Sequence, residues 1–132
     1  TVTAAVYLSL LKDVVQPWIQ LVIGDRPYIF QQDTAPAHSA RIVQQFLRTE
    51  FHHFWPKDRW PSNSPDCNPC DFYLWGVVEK EVCATPHASV ASLKRAISRE
   101  MARLDAAEVA RACRSFRRRI EAVIEAEGDH FE

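Results

Sequence analysis

The sequence lacks a continuous hydrophobic run of the length that a membrane span requires. Its 132 residues are 47% hydrophobic and 25% charged, which is ordinary for a globular protein. No stretch approaches the roughly 18 consecutive apolar residues of a transmembrane helix. The N-terminus also lacks the basic start and apolar core of a signal peptide. These absences predict an intracellular chain with no membrane partner, comprising one domain or part of one.

The four cysteines lack the pattern of a strong zinc site. Cys67 and Cys70 form a C-x-x-C, and Cys83 with His87 offers two further ligands. There is no second C-x-x-C and no H-x-x-x-H, and the first pair brackets a helix-start signal. A structural zinc module is therefore the weaker alternative. For most of the cysteines we expect the role of small buried hydrophobes.

The chain lacks a large net charge, which is only −1, but its charges are segregated. Residues 94–119 hold nine Lys or Arg against three acids, whereas residues 120–132 hold five acids and no Lys or Arg. The basic residues recur at roughly helical spacing: Lys94, Arg95, Arg99 and Arg103, then Arg111, Arg114 and Arg118. A solvated helix face is the default interpretation, and a face that contacts phosphate groups is its rival.

Hydrophobic periodicity and turn residues predict five helices and two short strands. The helices are expected over residues 3–18, 36–49, 68–82, 89–104 and 105–128, and the strands over residues 28–32 and 51–55. Pro17 ends or kinks the first helix. The core face of the second helix is expected to carry Ile42, Val43, Phe46 and Leu47.

The two strands flank one helix, which predicts a right-handed crossover and a parallel pair. Two strands alone are marginal in water. With five helices around them, the first strands of the sheet are expected before Thr1, so the chain reads as a fragment of a longer α/β domain. We expect a core of residues 1–84 and an additional C-terminal helical region of residues 85–132.

Two carboxylates fall where these elements start or stop. Asp33 follows the first strand, and ligands bind at the carboxyl ends of strands in open α/β sheets. Asp71 lies in the first turn of the third helix. Singly, Asp33 and Asp66 are ordinary turn residues and Asp71 favours a helix dipole. Together, Asp33 and Asp71 would bind a hard divalent cation.

The context of both acids resembles the catalytic core of mariner/Tc1 superfamily transposases. Residues 31–38 read QQDTAPAH, similar to the family's Q-D-N-A-P-x-H segment at the second catalytic acid. Residues 60–71 read WPSNSPDCNPCD, similar to the W-P-x-x-S-P-D-L-x-P-x-D/E segment at the third. The segments FYLWG at 72–76 and EGDHFE at 127–132 also look like this family. The resemblance spans essentially the whole chain.

The resemblance implies an RNase H-like fold, the integrase and transposase catalytic core, with a DD(E/D) triad that binds two Mg²⁺ or Mn²⁺ ions. Asp33 matches the second acid and Asp71 the third, with 37 residues between them. An Asp in the third position resembles mariner-type enzymes. The resemblance also implies a nuclear homodimer whose partners are transposon ends and target DNA, with no small-molecule substrate.

The departures from the family pattern concern activity. No residue matches the first catalytic Asp, for which Asp13 and Asp25 are poor substitutes, and Thr34 replaces the usual Asn. The upstream helix-turn-helix region of such transposases has no counterpart either. We therefore expect a recognisable transposase fragment that is inactive by itself. The alternative is a non-catalytic DNA-binding or dimerising remnant, held by its basic helices and an unmatched strand edge.

Two further residues are DNA-binding candidates beside Lys94, Arg95, Arg114 and Arg118. His38 resembles the family histidine one turn after the second acid. It either approaches the metal site or substrate through a water or hydrogen-bonds locally. Trp60 either stacks on a base or covers the site, but a lone aromatic is more often a packing residue.

Overall fold

The computed structural model describes residues 1–61 and 64–127 and forms two compact units, Thr1–Asn63 and Ser64–Glu132. Each unit has its own cluster of buried apolar side chains. The boundary lies before the expected division after residue 84, because the 3₁₀ turn Pro65–Cys67 packs on the last helix of the second unit. From Gly128 onward, the closing EGDHFE motif and the predicted helix end lie outside the described residues.

The first helix is continuous through Pro17, so of the two predicted outcomes, an end or a kink, the end is wrong. It consists of α1 (Ala4–Leu10), a π-helical turn (Leu11–Val15) and α2 (Gln16–Ile23). Thr3 caps the helix at the predicted start, since its Oγ1 accepts from the backbone N–H of Val6 at 3.3 Å. Pro17 sits in the first turn of α2, directly after the π turn. A wider turn accommodates the missing N–H of proline, and the helix ends instead at Gly24, whose φ is +59°.

This helix has two apolar faces. One of them packs against the core of the first unit, and the other is exposed. Leu11 and Ile19 are buried, with Tyr7, Leu8 and Val15 packed against them. The side chains on the other face are 45–60% exposed, namely Val6, Leu10, Val14 and Trp18. When apolar residues lie on more than one face of a helix, their pattern does not identify the face that packs.

The helix also bears on the expected absence of a membrane span. Ala4–Ile23 is 20 residues long and, by length and composition alone, apolar enough to cross a membrane. The sequence contains no unbroken apolar run of this length. The helix nevertheless attains the length of a membrane span because it continues past Pro17. Core helices of other proteins meet the same criterion.

The two predicted strands reduce to one parallel bridge between Phe30 and Phe54, and the described residues form no longer ladder. The backbone N–H of Phe30 donates to the carbonyl of His53 at 2.8 Å, and Trp55 N–H donates to the carbonyl of Phe30 at 2.9 Å. The parallel direction is confirmed. The α/β expectation is supported only in part, because apart from this bridge the regular structure of the described residues is helical. One bridge is too short to count as a sheet, and even a full pair of strands is marginal without further strands.

The second predicted helix is two helices, α3 (Pro36–Ser39) and α4 (Arg41–Glu50). Ala40 separates them with an extended backbone, ψ 139°. On α4, Val43 and Leu47 are fully buried and Phe46 packs against the same cluster, as predicted. Ile42 is 50% exposed, so its assignment to the core face is wrong.

The second unit is helical and its helix starts agree with the sequence. A π-helical turn (Cys70–Leu74) leads into α5 (Trp75–Val82), followed by α6 (Val90–Arg103) and α7 (Ala106–Glu125). Ser89 caps α6 and Asp105 caps α7 through its carboxylate, which accepts from Ala107 N–H at 2.7 Å. The core consists of Val78, Val82 and Ala96.

Candidate functional site

Asp33 lies just beyond the Phe30 bridge, in the loop that leads to α3. Its Oδ1 accepts from the backbone N–H of Ala35 at 2.9 Å, an Asx turn, and from Nδ1 of His38 at 2.5 Å. Both contacts use one carboxylate oxygen, and 38% of the side chain is exposed. Because Nδ1 of His38 donates, a neutral ring presents Nε2 as its acceptor nitrogen. The local hydrogen bond expected as one alternative for His38 is present.

His38 is held in place by its backbone carbonyl as well as by its ring. Nε2 of Gln32 and Nε2 of Gln44 each donate to that carbonyl at 3.0 Å. Gln44 is buried, and its Oε1 accepts from the backbone N–H of Lys57 at 3.3 Å. The two amides restrain the residue that contacts Asp33, and so restrain the carboxylate indirectly.

Tyr7 closes this network from the first helix. Its Oη donates to Oε1 of Gln32 at 2.8 Å, and its ring lies 4.2 Å from that of His38, centroid to centroid. Burial raises the pKa of Tyr7 to about 12, and the nearby charge of Asp33 contributes in the same direction. The phenol is therefore neutral and remains a donor. The sequence marked Asp33 and His38, and Gln32 as the first residue of the same motif, but Tyr7 and Gln44 carried no signal.

Asp71 belongs to the second unit and is exposed. Asn68 starts its helix as predicted: Oδ1 of Asn68 accepts from the N–H of Cys70 at 3.1 Å. The backbone N–H of Asp71 donates to the carbonyl of Asn68 at 2.9 Å. This cap, followed by the π-helical turn, directs the chain so that the carboxylate stands in the first turn at a helix entry.

Arg119 of α7 anchors the loop before Asp71 and the helix after it. Its Nη1 donates to the carbonyl of Asp66 at 2.8 Å, and its guanidinium lies 4.0 Å from the centroid of the Phe72 ring. Sγ of Cys67 donates to the carbonyl of Arg119 at 3.9 Å. Burial raises the pKa of the Cys67 thiol. The turn role of Asp66 is confirmed, and the anchoring role of Arg119 had no signal in the sequence.

The cysteines do not form a zinc site in the described part of the chain. Cys67 is buried as expected, but Cys70, Cys83 and Cys113 are exposed, so burial was wrong for three of the four. Nε2 of His87 donates to the carbonyl of Val82 at 2.8 Å. Within residues 1–61 and 64–127, no three His, Cys, Asp or Glu side chains are grouped so as to hold a metal ion.

The remaining nucleic-acid candidates differ in exposure. Trp60 is 6% exposed, which leaves no ring face for a base and fits the packing alternative. Lys94, Arg95, Arg114 and Arg118 are all exposed. Other basic residues of these helices form ion pairs: Arg99 and Arg103 with Glu100, and Arg111 with Glu108. The ion pairs found in the described residues do not include the four exposed candidates.

Curated relatives of this sequence are transposases. It is 38% identical over 77 residues to the transposable element Tcb2 transposase of Caenorhabditis briggsae, covering 58% of this chain and 26% of the relative. It is 26% identical over 122 residues to the transposable element Tc1 transposase of Caenorhabditis elegans, covering 92% of this chain and 43% of that protein. The chain thus spans less than half the length of these relatives. The sequence matches no protein-family model.

Solved structures agree with this assignment. The catalytic domain of the Mos1 mariner transposase matches all of this chain with a TM-score of 0.81 at 27% identity, the match covering 65% of that domain. The same domain with raltegravir and Mn matches all of the chain with a TM-score of 0.79 at 25% identity, covering 66% of it. The fold therefore defines part of a transposase catalytic domain. The homologues of the chain are Tc1/mariner transposases, and its fold matches the catalytic domain of the Mos1 mariner transposase along the whole chain.

Proposed function

We propose that Asp33 and Asp71 are the second and third acids of a metal-dependent transposase site. The intact enzyme would cut and join DNA at transposon ends by phosphodiester hydrolysis and strand transfer. The observation that carries the proposal is Asp33. It follows the Phe30–Phe54 bridge, is fixed through one oxygen by Ala35 and His38, and keeps 38% of its side chain exposed.

The donor set fits a hard divalent cation. Asp33 and Asp71 are carboxylates with exposed side chains at element ends, and Mg²⁺ or Mn²⁺ takes a few such oxygens while retaining waters. The buried thiol of Cys67 is not one of these ligands. It would be a soft ligand, and it hydrogen-bonds to a backbone carbonyl instead. When bound, two such ions activate the attacking oxygen and stabilise the leaving one. The Mos1 domain structure with Mn supports this class of metal.

The residues around Asp33 orient its carboxylate, and they hold protons at defined atoms. His38 keeps its Nδ1 proton on Asp33, and Gln32 and Gln44 hold the His38 backbone. Tyr7 stays protonated and keeps Gln32 in the orientation that donates to His38. These bonds restrict the rotamers of Asp33 before any ion arrives, which is the preorganisation that a metal site requires.

The 132 residues supply two of the three acids, so we expect no strand cleavage by this chain alone. Transposon ends, target DNA, a homodimer and a nuclear location belong to the same proposal, and they rest on kinship with transposases. The alternative is a non-catalytic DNA-binding or dimerising remnant. The exposed cations Lys94, Arg95, Arg114 and Arg118 favour it, because they can contact phosphates without any metal.

The experiment is calorimetric titration of Mn²⁺ into the chain and into three single variants. Asp33→Asn and Asp71→Asn each remove a ligand charge with almost no change in shape. Each is expected to weaken binding by at least about tenfold, a loss that even outer-shell changes produce at metal sites. Asp25→Asn, an exposed acid in the turn after α2, is the matched control and should bind as the unmodified chain does.

Two results would count against the metal assignment. One is binding that neither Asp33→Asn nor Asp71→Asn changes. The other is an equal loss in Asp25→Asn, which would indicate general attraction of the cation by negative charge. Either result would leave the non-catalytic remnant as the better description.

A further inference from the structure

A groove in the first unit lies next to the Asp33 network. Its volume is about 380 Å³, and one wall is a single face of α4. The lining residues of α4 recur at helical spacing: Arg41, Gln44, Gln45, Arg48 and Thr49. Ser39 of α3 and Lys57 of the 3₁₀ turn Lys57–Arg59 complete the lining. The break at Ala40 creates this wall, because it lets α4 start in a new direction.

Two hydrogen bonds build the side of the groove that carries Lys57. The backbone N–H of Lys57 donates to Oε1 of Gln44 at 3.3 Å, which fixes the turn against α4. Nζ of Lys57 donates to the carbonyl of Ser39 at 3.3 Å, which holds the ammonium group over the groove. Gln44 is buried, so the floor under these contacts is part of the packed unit.

The charges of the groove are all of one sign. Arg41, Arg48 and Lys57 line it, and no lining residue is acidic. Arg48 lies 3.9 Å from Asp58, but both side chains are more than half exposed, so this pair neutralises little. In the described residues, Arg41 has no acidic side chain within ion-pair distance. The three cations therefore present unneutralised positive charge to one concave surface.

The spacing of the cations suits a chain of phosphates. Arg41 and Arg48 are seven residues apart on α4, a rise of about 10 Å. One strand of a DNA duplex advances about 3.4 Å along its axis for each phosphate, so about three phosphates fit this length. Polar Gln45 and Thr49 lie on the same face and can donate to phosphate oxygens.

The groove adjoins the hydrogen-bond network of the candidate catalytic acid. Ser39 follows His38, whose Nδ1 contacts Asp33, and Gln44 of the groove donates to the His38 carbonyl. A phosphate backbone in the groove would thus run toward the Asp33 carboxylate within the same compact unit. None of the basic residues singled out in α6 and α7 belongs to this surface.

We propose that the groove between α4, Ser39 and Lys57 binds the phosphodiester backbone of duplex DNA and leads it to Asp33. This inference rests on the proposed function for its choice of DNA among polyanions. The contact needs no metal ion, so it can be tested separately from the metal site.

The test is fluorescence anisotropy of a labelled DNA duplex of arbitrary sequence, in EDTA, over a salt series. The variant combines Arg41→Gln, Arg48→Gln and Lys57→Gln. If each cation contacts one phosphate, the slope of log affinity against log salt should become shallower by roughly 2.7. Between 50 and 200 mM salt, three contacts account for about a 40-fold loss of affinity, which the variant should not show.

The matched control removes three cations from the same unit outside the groove: Lys12→Gln, Arg26→Gln and Arg59→Gln. It should retain the slope of the unmodified chain. Single variants Arg41→Gln and Arg48→Gln, each expected to reduce the slope by about 0.9, keep the test decisive if the triple variant does not fold. All variants are first compared with the unmodified chain by circular dichroism.

Three results would overturn the proposal: no binding of DNA by the unmodified chain, an unchanged slope in the folded groove variants, or an equal reduction in the control. The Mn²⁺ titration decides the metal assignment independently. A groove effect with no role for Asp33 and Asp71 in Mn²⁺ binding would leave a DNA-binding remnant. If Asp33 and Asp71 bind Mn²⁺ but the groove variants bind DNA as the unmodified chain does, the metal assignment would stand and the groove proposal would fail.

Discussion

The environment of Asp33 shows how far single residues can be read from the sequence. The motif marked Asp33 and His38 as neighbours, and their contact follows from a spacing of five residues across an Asx turn. The contacts that fix His38 could not be read in this way. Tyr7 is 25 residues from Gln32, and Gln44 is a polar residue at a buried position, so neither local spacing nor periodicity identifies them.

Asp33→Asn is expected to lower the pKa of Tyr7. The structure places that pKa at about 12, with burial as the larger cause and the charge of Asp33 as the smaller one. Removing the charge should therefore reverse part of the elevation above the ordinary value of 10.0 and leave the rest. Ultraviolet absorbance reports tyrosine ionisation, and Tyr28→Phe with Tyr73→Phe leaves Tyr7 as the single tyrosine.

The direction of the pH effect follows from the raised pKa. A phenol whose pKa is higher in the folded than in the unfolded chain favours folding while both are protonated, and that contribution is lost between about pH 10 and 12. Asp25→Asn in the same background should leave the titration of Tyr7 unchanged. A Tyr7 that titrates near 10, or ignores Asp33→Asn, would contradict the described network.

Helix starts were predictable from sequence, whereas the path between them was not. Thr3, Asn68, Ser89 and Asp105 all cap helices at the predicted starts, because a cap depends on a short side chain and the next three residues. Pro17 does not end the first helix, because it follows a π turn that the apolar pattern does not indicate. The strand pair shrank to one bridge because pairing needs neighbours that a local pattern does not supply.

Asp105→Ala is expected to reduce the free energy of unfolding by about 1 kcal/mol. The carboxylate accepts from the N–H groups of Ala107 at 2.7 Å and Glu108 at 3.4 Å, and alanine leaves both to solvent. Urea unfolding measures the change. Asp105→Asn should retain most of the stability, and Glu79→Ala on the exposed side of α5 is the control for loss of an acid. Equal losses in all three variants would exclude a specific cap.

At the scale of the whole molecule, the buried side chains form two clusters, one in each unit. The division into a core of residues 1–84 and a helical region of residues 85–132 stays a prediction, and Val78 and Val82 of the first range pack with Ala96 of the second. Periodicity correctly marks many apolar positions, but it does not say which of them meet. For the same reason, the apolar pattern did not reveal that one face of the first helix is exposed, with Trp18 at 58% exposure.

Leu47→Ala is expected to loosen the first unit and leave the second unaffected. Leu47 is fully buried in the cluster that contains Leu11 and Val43, and such truncations cost about 2–5 kcal/mol. Hydrogen exchange of the amides in α1 and α4 should therefore accelerate by at least about 20-fold, while α6 keeps its rates. Val82→Ala is the reciprocal variant, expected to accelerate α5 and α6 and to leave α1 and α4 unchanged, because its partners are Val78 and Ala96. Equal acceleration of both units by either variant would mean that the two clusters unfold as one cooperative core, despite sharing no buried residue.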